Sequence, residues 1–212
     1  MVAESFKMPV SFDQFVEWLP ESTETGYELH NGSIVEMPKP RGQHSKVAGF
    51  VIKQLNQAID AAQRPYFIPR ECLVRSLDRE SAYEPDIAVL DEPALVDEPY
   101  WEMGSILTQG RSIKLIVEVI STNWRDDYLR KQADYEALGI QEYWLIDCIA
   151  LGAALGGRRF IGNPKQPTVT VCTLVDGEYE TQLVRSGRLG STLFPDLALT
   201  AEQILTAGQA LN

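Results

Sequence analysis

The stretch Ile113–Asp147 limits what this chain can fold into more than any other, because it reads as a buried strand, a polar elbow, a helix and a second buried strand. Ile113–Ile120 is apolar on nearly every position of both alternating faces and rich in β-branched residues, the pattern of an inner strand covered on both sides. Glu118 breaks it, flanked by Val117 and Val119. An ionised carboxylate in such a place is costly unless it is paired or bound to a cation. Asn123–Leu138 follows as a helix with Lys131 on the side formed by Tyr128, Tyr135 and Leu138. Gly139 is a natural stop, and Glu142–Asp147 restarts a strand. A strand, crossover helix and strand in this order normally form a right-handed parallel unit with its chemistry near the strand ends.

Around this unit the chain spells out further elements. Ser11-Phe12-Asp13-Gln14 has the spacing of a capping box ahead of a short amphipathic helix that Pro20 ends. Tyr27–Met37 reads as a β-hairpin turning at Asn31-Gly32, with Glu28 and His30 on one face and Tyr27 and Leu29 on the other. Val47, Val51, Leu55 and Ile59 then mark a long helix with His44 at its start. Pro65–Arg75 and Tyr83–Leu90 are expected strands on either side of the charged turn Asp78-Arg79-Glu80, and Pro85 places Asp86 near the beginning of the second. Asp91–Gly110 has no period and is expected to be an exposed, mobile connection. Ile149–Gly162 is compatible with a hairpin, a loop or a short helix. Thr168–Val175 and Glu178–Val184 form a second hairpin through Asp176-Gly177, and Thr200-Ala201-Glu202-Gln203 caps a last helix.

No linker divides the chain, so a single domain over 1–212 is expected. The N-terminus lacks the features of a secretion signal and no apolar run approaches a membrane span, which implies a cytoplasmic protein. Cys72, Cys148 and Cys172 are widely spaced in apolar context and suit reduced thiols. The net charge of −11 argues against a general nucleic-acid binder, although the carboxylates of a metal site would contribute to it.

Five polar residues interrupt apolar context: Glu28, His44, Asp86, Glu118 and Lys131. Each has an ordinary reading. Glu28 is then a solvated strand residue, His44 a local hydrogen-bonding group at a helix start, Asp86 a turn residue, and Lys131 the i+4 partner of Asp127. Glu118 fits an ordinary reading least well. Brought together, Asp86, Glu118 and Glu28 are hard oxygen ligands suited to magnesium or manganese.

YELHNG, QHSKV opening a helix, EPDIAVLD, IVEVIS, the helix with Lys131 and Tyr135, GIQEYWLID and the closing GRLGSTLFPDLALTAEQIL together resemble the bacterial Uma family, whose members are described as restriction endonucleases of the PD-(D/E)XK nuclease superfamily. The resemblance implies an α/β restriction-endonuclease-like core, a mixed sheet with flanking helices and extra β-hairpins. It implies Asp86 and Glu118 as metal-binding carboxylates, with Glu28 as the acid of the early strand and Lys131 as the lysine. The superfamily usually has that lysine two residues after the second acid, where this chain has Ile120, and many family members have proline where it has Gln141. The expected function is Mg2+- or Mn2+-dependent hydrolysis of DNA phosphodiesters by a homodimer, with Glu28, His44, Asp86, Glu118 and Lys131 as the catalytic set. The alternatives are a catalytically silent binding or regulatory module, which the acidic surface favours, and a hydrolase of small phosphoesters.

Overall fold

The computed structural model describes residues 9–20, 25–77, 80–121, 124–151 and 158–209. The expected capping box closes at Ser11 and Gln14 and starts α1 (Phe12–Trp18), which buries Phe12 and Phe15. β1 (Gly26–His30) and β2 (Ser33–Met37) form the first hairpin, with Asn31 at φ 49° and Gly32 at φ 77°, the two left-handed conformations that its tight turn requires. α2 (Gly42–Ala62) buries Val47, Val51, Leu55 and Ile59, one per turn.

Two expected strands are each divided between sheets. Pro65–Arg75 contains β3 (Tyr66–Phe67) and β4 (Leu73–Arg75), and Tyr83–Leu90 takes in the last residue of β5 (Ala82–Tyr83) and most of β6 (Ile87–Asp91). Pro85 has no N–H to give a ladder, and the chain leaves one sheet for the other at Glu84-Pro85-Asp86. Of the charged turn before it, Asp78 and Arg79 lie outside the described residues. The expected irregular connection Asp91–Gly110 instead holds a 3-10 turn (Glu92–Asp97), α3 (Trp101–Gly104) and β7 (Ile106–Leu107). Glu98 organises it. This buried carboxylate accepts from the Thr108 N–H at 2.8 Å, the Thr108 hydroxyl at 2.9 Å and the Gln109 N–H at 3.1 Å.

β8 (Ile113–Val119) is followed by a π-helical turn (Asp126–Lys131), α4 (Gln132–Leu138) and β9 (Glu142–Asp147). Gly139 ends α4 at φ 78°. The helix expected over Asn123–Leu138 is therefore wound more loosely in its first half, and Asn123 lies outside the described residues. Within Ile149–Gly162 the described part includes α5 (Arg158–Ile161), while 152–157 lie outside. β10 (Thr168–Val175) and β11 (Glu178–Val184) turn at Asp176-Gly177, and Thr200 and Gln203 close a capping box on α6 (Ala201–Ala207).

The main sheet has the order β11-β10-β9-β8-β6-β3, in which β8 and β9 are parallel and the other neighbours antiparallel. The first hairpin is the edge of a second sheet, β2-β1-β5-β4-β7. Leu115, Val117 and Val119 of β8 pack with α2 and α6, whereas Ile116 and Ile120 pack with Tyr128 and Tyr135 and with Val74, Tyr83 and Leu107 of the second sheet. On the far side of that sheet, Leu29, Leu73, Ala82 and Ile106 meet Phe12 and Phe15. Glu118 thus faces the layer between the sheets, the side on which β1, β5 and the π-helical turn also stand. Glu142 anchors the C-terminal segment: fully buried, it accepts from the N–H groups of Thr192 and Leu193 and from the hydroxyls of Ser191 and Thr192. The cysteines are all free thiols, with Cys72 and Cys172 buried. No helix among the described residues is long and apolar enough to cross a membrane.

Candidate active site

Asp86 stands immediately before β6, and the antiparallel register that pairs Ile87 with Val117 sets it beside Glu118. The Val119 N–H donates to Asp86 Oδ2 at 2.7 Å. His44, in the first turn of α2, brings Nε2 to 3.1 Å from the same oxygen. A carboxylate can only accept, so Nε2 carries the proton toward Asp86. His44 Nδ1 is buried with no hydrogen-bond partner.

Lys131 reaches the site from the helical return. Its Nζ lies 3.0 Å from Glu118 Oε1, 3.1 Å from Glu28 Oε1 and 3.6 Å from Asp127 Oδ1, and the residue is only 4% exposed. The Tyr83 ring lies beneath the ammonium, 5.6 Å from Nζ to centroid. Lys131 does not touch Asp86 directly, so the two carboxylates expected as a pair have different neighbours. Glu28 is held hardest: His30 Nε2 is 2.6 Å from Oε2, and Oε1 accepts from the Glu84 N–H at 3.0 Å as well as from Lys131.

All five residues singled out in the sequence therefore gather in one region, in two linked groups: the half-buried His44 with Asp86, and the buried Lys131 with Glu118 and Glu28. The structure adds Asp127, His30, Tyr83 and Tyr135, whose hydroxyl is 3.5 Å from Glu118 Oε1. Period-two alternation put His30 on the face of Glu28, and four-residue spacing put Asp127 with Lys131. Tyr83 carried no signal, because it lies on the expected strand that divides.

The electrostatics follow from burial and from the ratio of charges. One buried ammonium serves three carboxylates. Burial holds the Glu118 carboxyl well above the usual carboxylate range, and repulsion from Asp86, Asp127 and Glu28 adds to the effect against the pull of Lys131. Burial likewise pushes Asp127 up to about 6, against the attraction of Lys131. Burial also acts to raise Glu28, but the Lys131 charge and the His30 hydrogen bond outweigh it and bring its pKa down. For Lys131 burial favours the neutral amine, yet Glu118, Glu28 and Asp127 outweigh it and hold the proton well above the usual lysine range. His44 is desolvated too, and its hydrogen bond and charge attraction to Asp86 overcome this to raise its pKa. The region is short of positive charge.

A divalent cation fits that shortage and the chemistry of the donors. Asp86 Oδ1 and Glu118 Oε2 have no protein partner among the described residues, whereas both oxygens of Glu28 are committed. No group of three or more His, Cys, Asp or Glu side chains among the described residues is arranged to hold a metal ion. Magnesium is commonly held by one or two carboxylates and completes its shell with water and substrate phosphate, so two carboxylates are a sufficient protein contribution.

A crystal structure of a putative nuclease belonging to DUF820 from Anabaena variabilis has the same fold, with a TM-score of 0.67 at 21% sequence identity over 95% of this chain and 100% of that one. No curated protein matches the chain. The Uma2 family, described as "Putative restriction endonuclease", matches residues 12–203, and this chain belongs to it.

Proposed function

We propose that the chain is a divalent-cation-dependent nuclease that hydrolyses phosphodiester bonds in DNA, with Asp86 and Glu118 as the ligands of Mg2+ or Mn2+. The observation that carries this reading is the position of Lys131. From a helix thirteen residues beyond Glu118, its ammonium comes within 3.0 Å of that carboxylate. The cation supplies a water of lowered pKa and offsets charge on the phosphate. Asp86 is oriented for ligation by the Val119 N–H and by His44, which leave Oδ1 open. Glu28 and Asp127 would retain the Lys131 ammonium if Glu118 turned to a cation, and Lys131 would then be free to donate to the phosphate oxygen on which charge builds as water adds and the leaving oxygen departs. Glu28 is accordingly a positioning residue for Lys131. A homodimer belongs to the same reading, since cutting both strands suits a two-fold axis.

Calorimetric titration with Mg2+ and Mn2+, followed by plasmid nicking with and without chelator, tests the proposal. Binding with cleavage that chelator abolishes is the expected result. Binding without cleavage replaces the nuclease by a silent module, and turnover of small phosphoesters alone replaces its substrate.

A further inference from the structure

Between Glu36 and Asp60 the chain carries Lys39, Arg41, Lys46 and Lys53 and no acid, although the whole protein has 30 acidic residues against 19 basic ones. Arg41, Lys46 and Lys53 are exposed, and among the described residues their side chains make no ion pair, hydrogen bond or ring contact. Many cations elsewhere among the described residues are engaged, Arg111, Lys114, Arg130 and Lys131 in ion pairs and Arg185 and Arg188 with backbone carbonyls, while Lys165 is a single exposed one outside this stretch. Arg41 is the N-cap of α2, and Lys46 and Lys53 stand seven residues apart, two turns along the side opposite Val47, Val51 and Leu55.

Gly49 lies between them on that outward stripe. An interior glycine weakens a helix relative to alanine, and packing does not require this one, because a Cβ there would meet nothing within 4 Å. What a bare backbone does allow is close approach by a ligand. The same helix ends in the active site, where His44 in its first turn reaches Asp86.

We infer that the outward face of α2, with Lys46, Gly49 and Lys53 and with Arg41 at the helix start, holds the phosphate backbone of duplex DNA and leads it to the carboxylates at the helix's N-terminal end. Arg41 to Lys53 spans about 18 Å at 1.5 Å per residue, roughly half a turn of B-form DNA. Repulsion by the acidic remainder of the surface restricts the duplex to this face. The inference rests on the nuclease reading and supplies the cationic surface that the net charge of −11 would otherwise deny it.

The test is binding of a fluorescent duplex oligonucleotide in chelator, across a series of salt concentrations, by wild type and by Lys46→Gln/Lys53→Gln. Wild type should bind with a steep salt dependence. The variant should bind more weakly, with a log–log salt slope shallower by about 1.8, the contribution of two lost phosphate contacts. Gly49→Asp, which adds bulk and negative charge to the same stripe, should weaken binding independently. All proteins should keep the melting-temperature shift that Mg2+ produces, which shows the fold and the carboxylates intact. Equal affinity and equal slope in the variants would overturn the inference and leave the nuclease reading standing. Absence of binding by wild type at low salt would overturn it as well, and plasmid nicking would then judge the nuclease reading separately.

Discussion

Glu118 and Lys131 share a contact but are not equivalent, and substitution should separate them. Lys131 is the one buried ammonium among Glu118, Glu28 and Asp127. Lys131→Met strands these carboxylates, so it should destabilise the metal-free protein by about 3–5 kcal/mol. The same substitution should tighten Mg2+ binding in calorimetry, because a competing cation is gone, and slow cleavage about 10²–10³-fold. Glu118→Gln keeps an acceptor for Lys131 and removes a charge that burial disfavours. Its melting temperature in chelator should match or exceed wild type, and a clear decrease would make Glu118 a structural ion-pair partner. Asp127 adds a pH signature. Its pKa rises from 3.8 to about 6 on folding, so the native state holds that proton more tightly; the resulting stability is present below about 4 and is lost as pH rises to about 6. In thermal melts, Asp127→Asn should therefore gain on wild type across that window and show a flat difference above it. A difference that runs the other way would show Asp127 to be stabilised as the anion. Asp86, Glu118, Lys131, Glu28 and His44 were legible because each interrupts an apolar pattern. Asp127 was legible only as the i,i+4 partner of Lys131, and its burial was not, since an acid near a helix start looks like an ordinary solvated residue.

At the scale of elements, the sequence marked what local chemistry decides. Both hairpins turn where Asn31-Gly32 and Asp176-Gly177 permit positive φ, and both capping boxes close. Local pattern could not show that one apolar run serves two sheets. Ala82 and Tyr83 pair in the second sheet and Ile87 onward in the main one, with Pro85 between. Nor could it show that Glu98 and Glu142 organise loops, because their partners, Thr108 and Gln109 for one and Ser191 to Leu193 for the other, stand well away in the chain. Glu142→Ala should cost at least about 3 kcal/mol, since it leaves several buried donors unsatisfied. Chemical denaturation measures this, and a loss below about 1 kcal/mol would mean that solvent replaces the carboxylate.

At the scale of the whole molecule, a protein of net charge −11 is proposed to keep a carboxylate cluster poised for a cation. A cation that binds only the folded state stabilises it by about 2.7 kcal/mol at a hundred times its dissociation constant, which thermal melts would register as a rise in melting temperature absent from Asp86→Asn. The most direct measurement is plasmid nicking in Mg2+ and in Mn2+ by wild type, Asp86→Asn and Glu118→Gln prepared identically. Nicking by wild type alone, abolished by chelator, is the expected result. Nicking that persists in both variants, or metal binding by wild type without any cleavage, would contradict it.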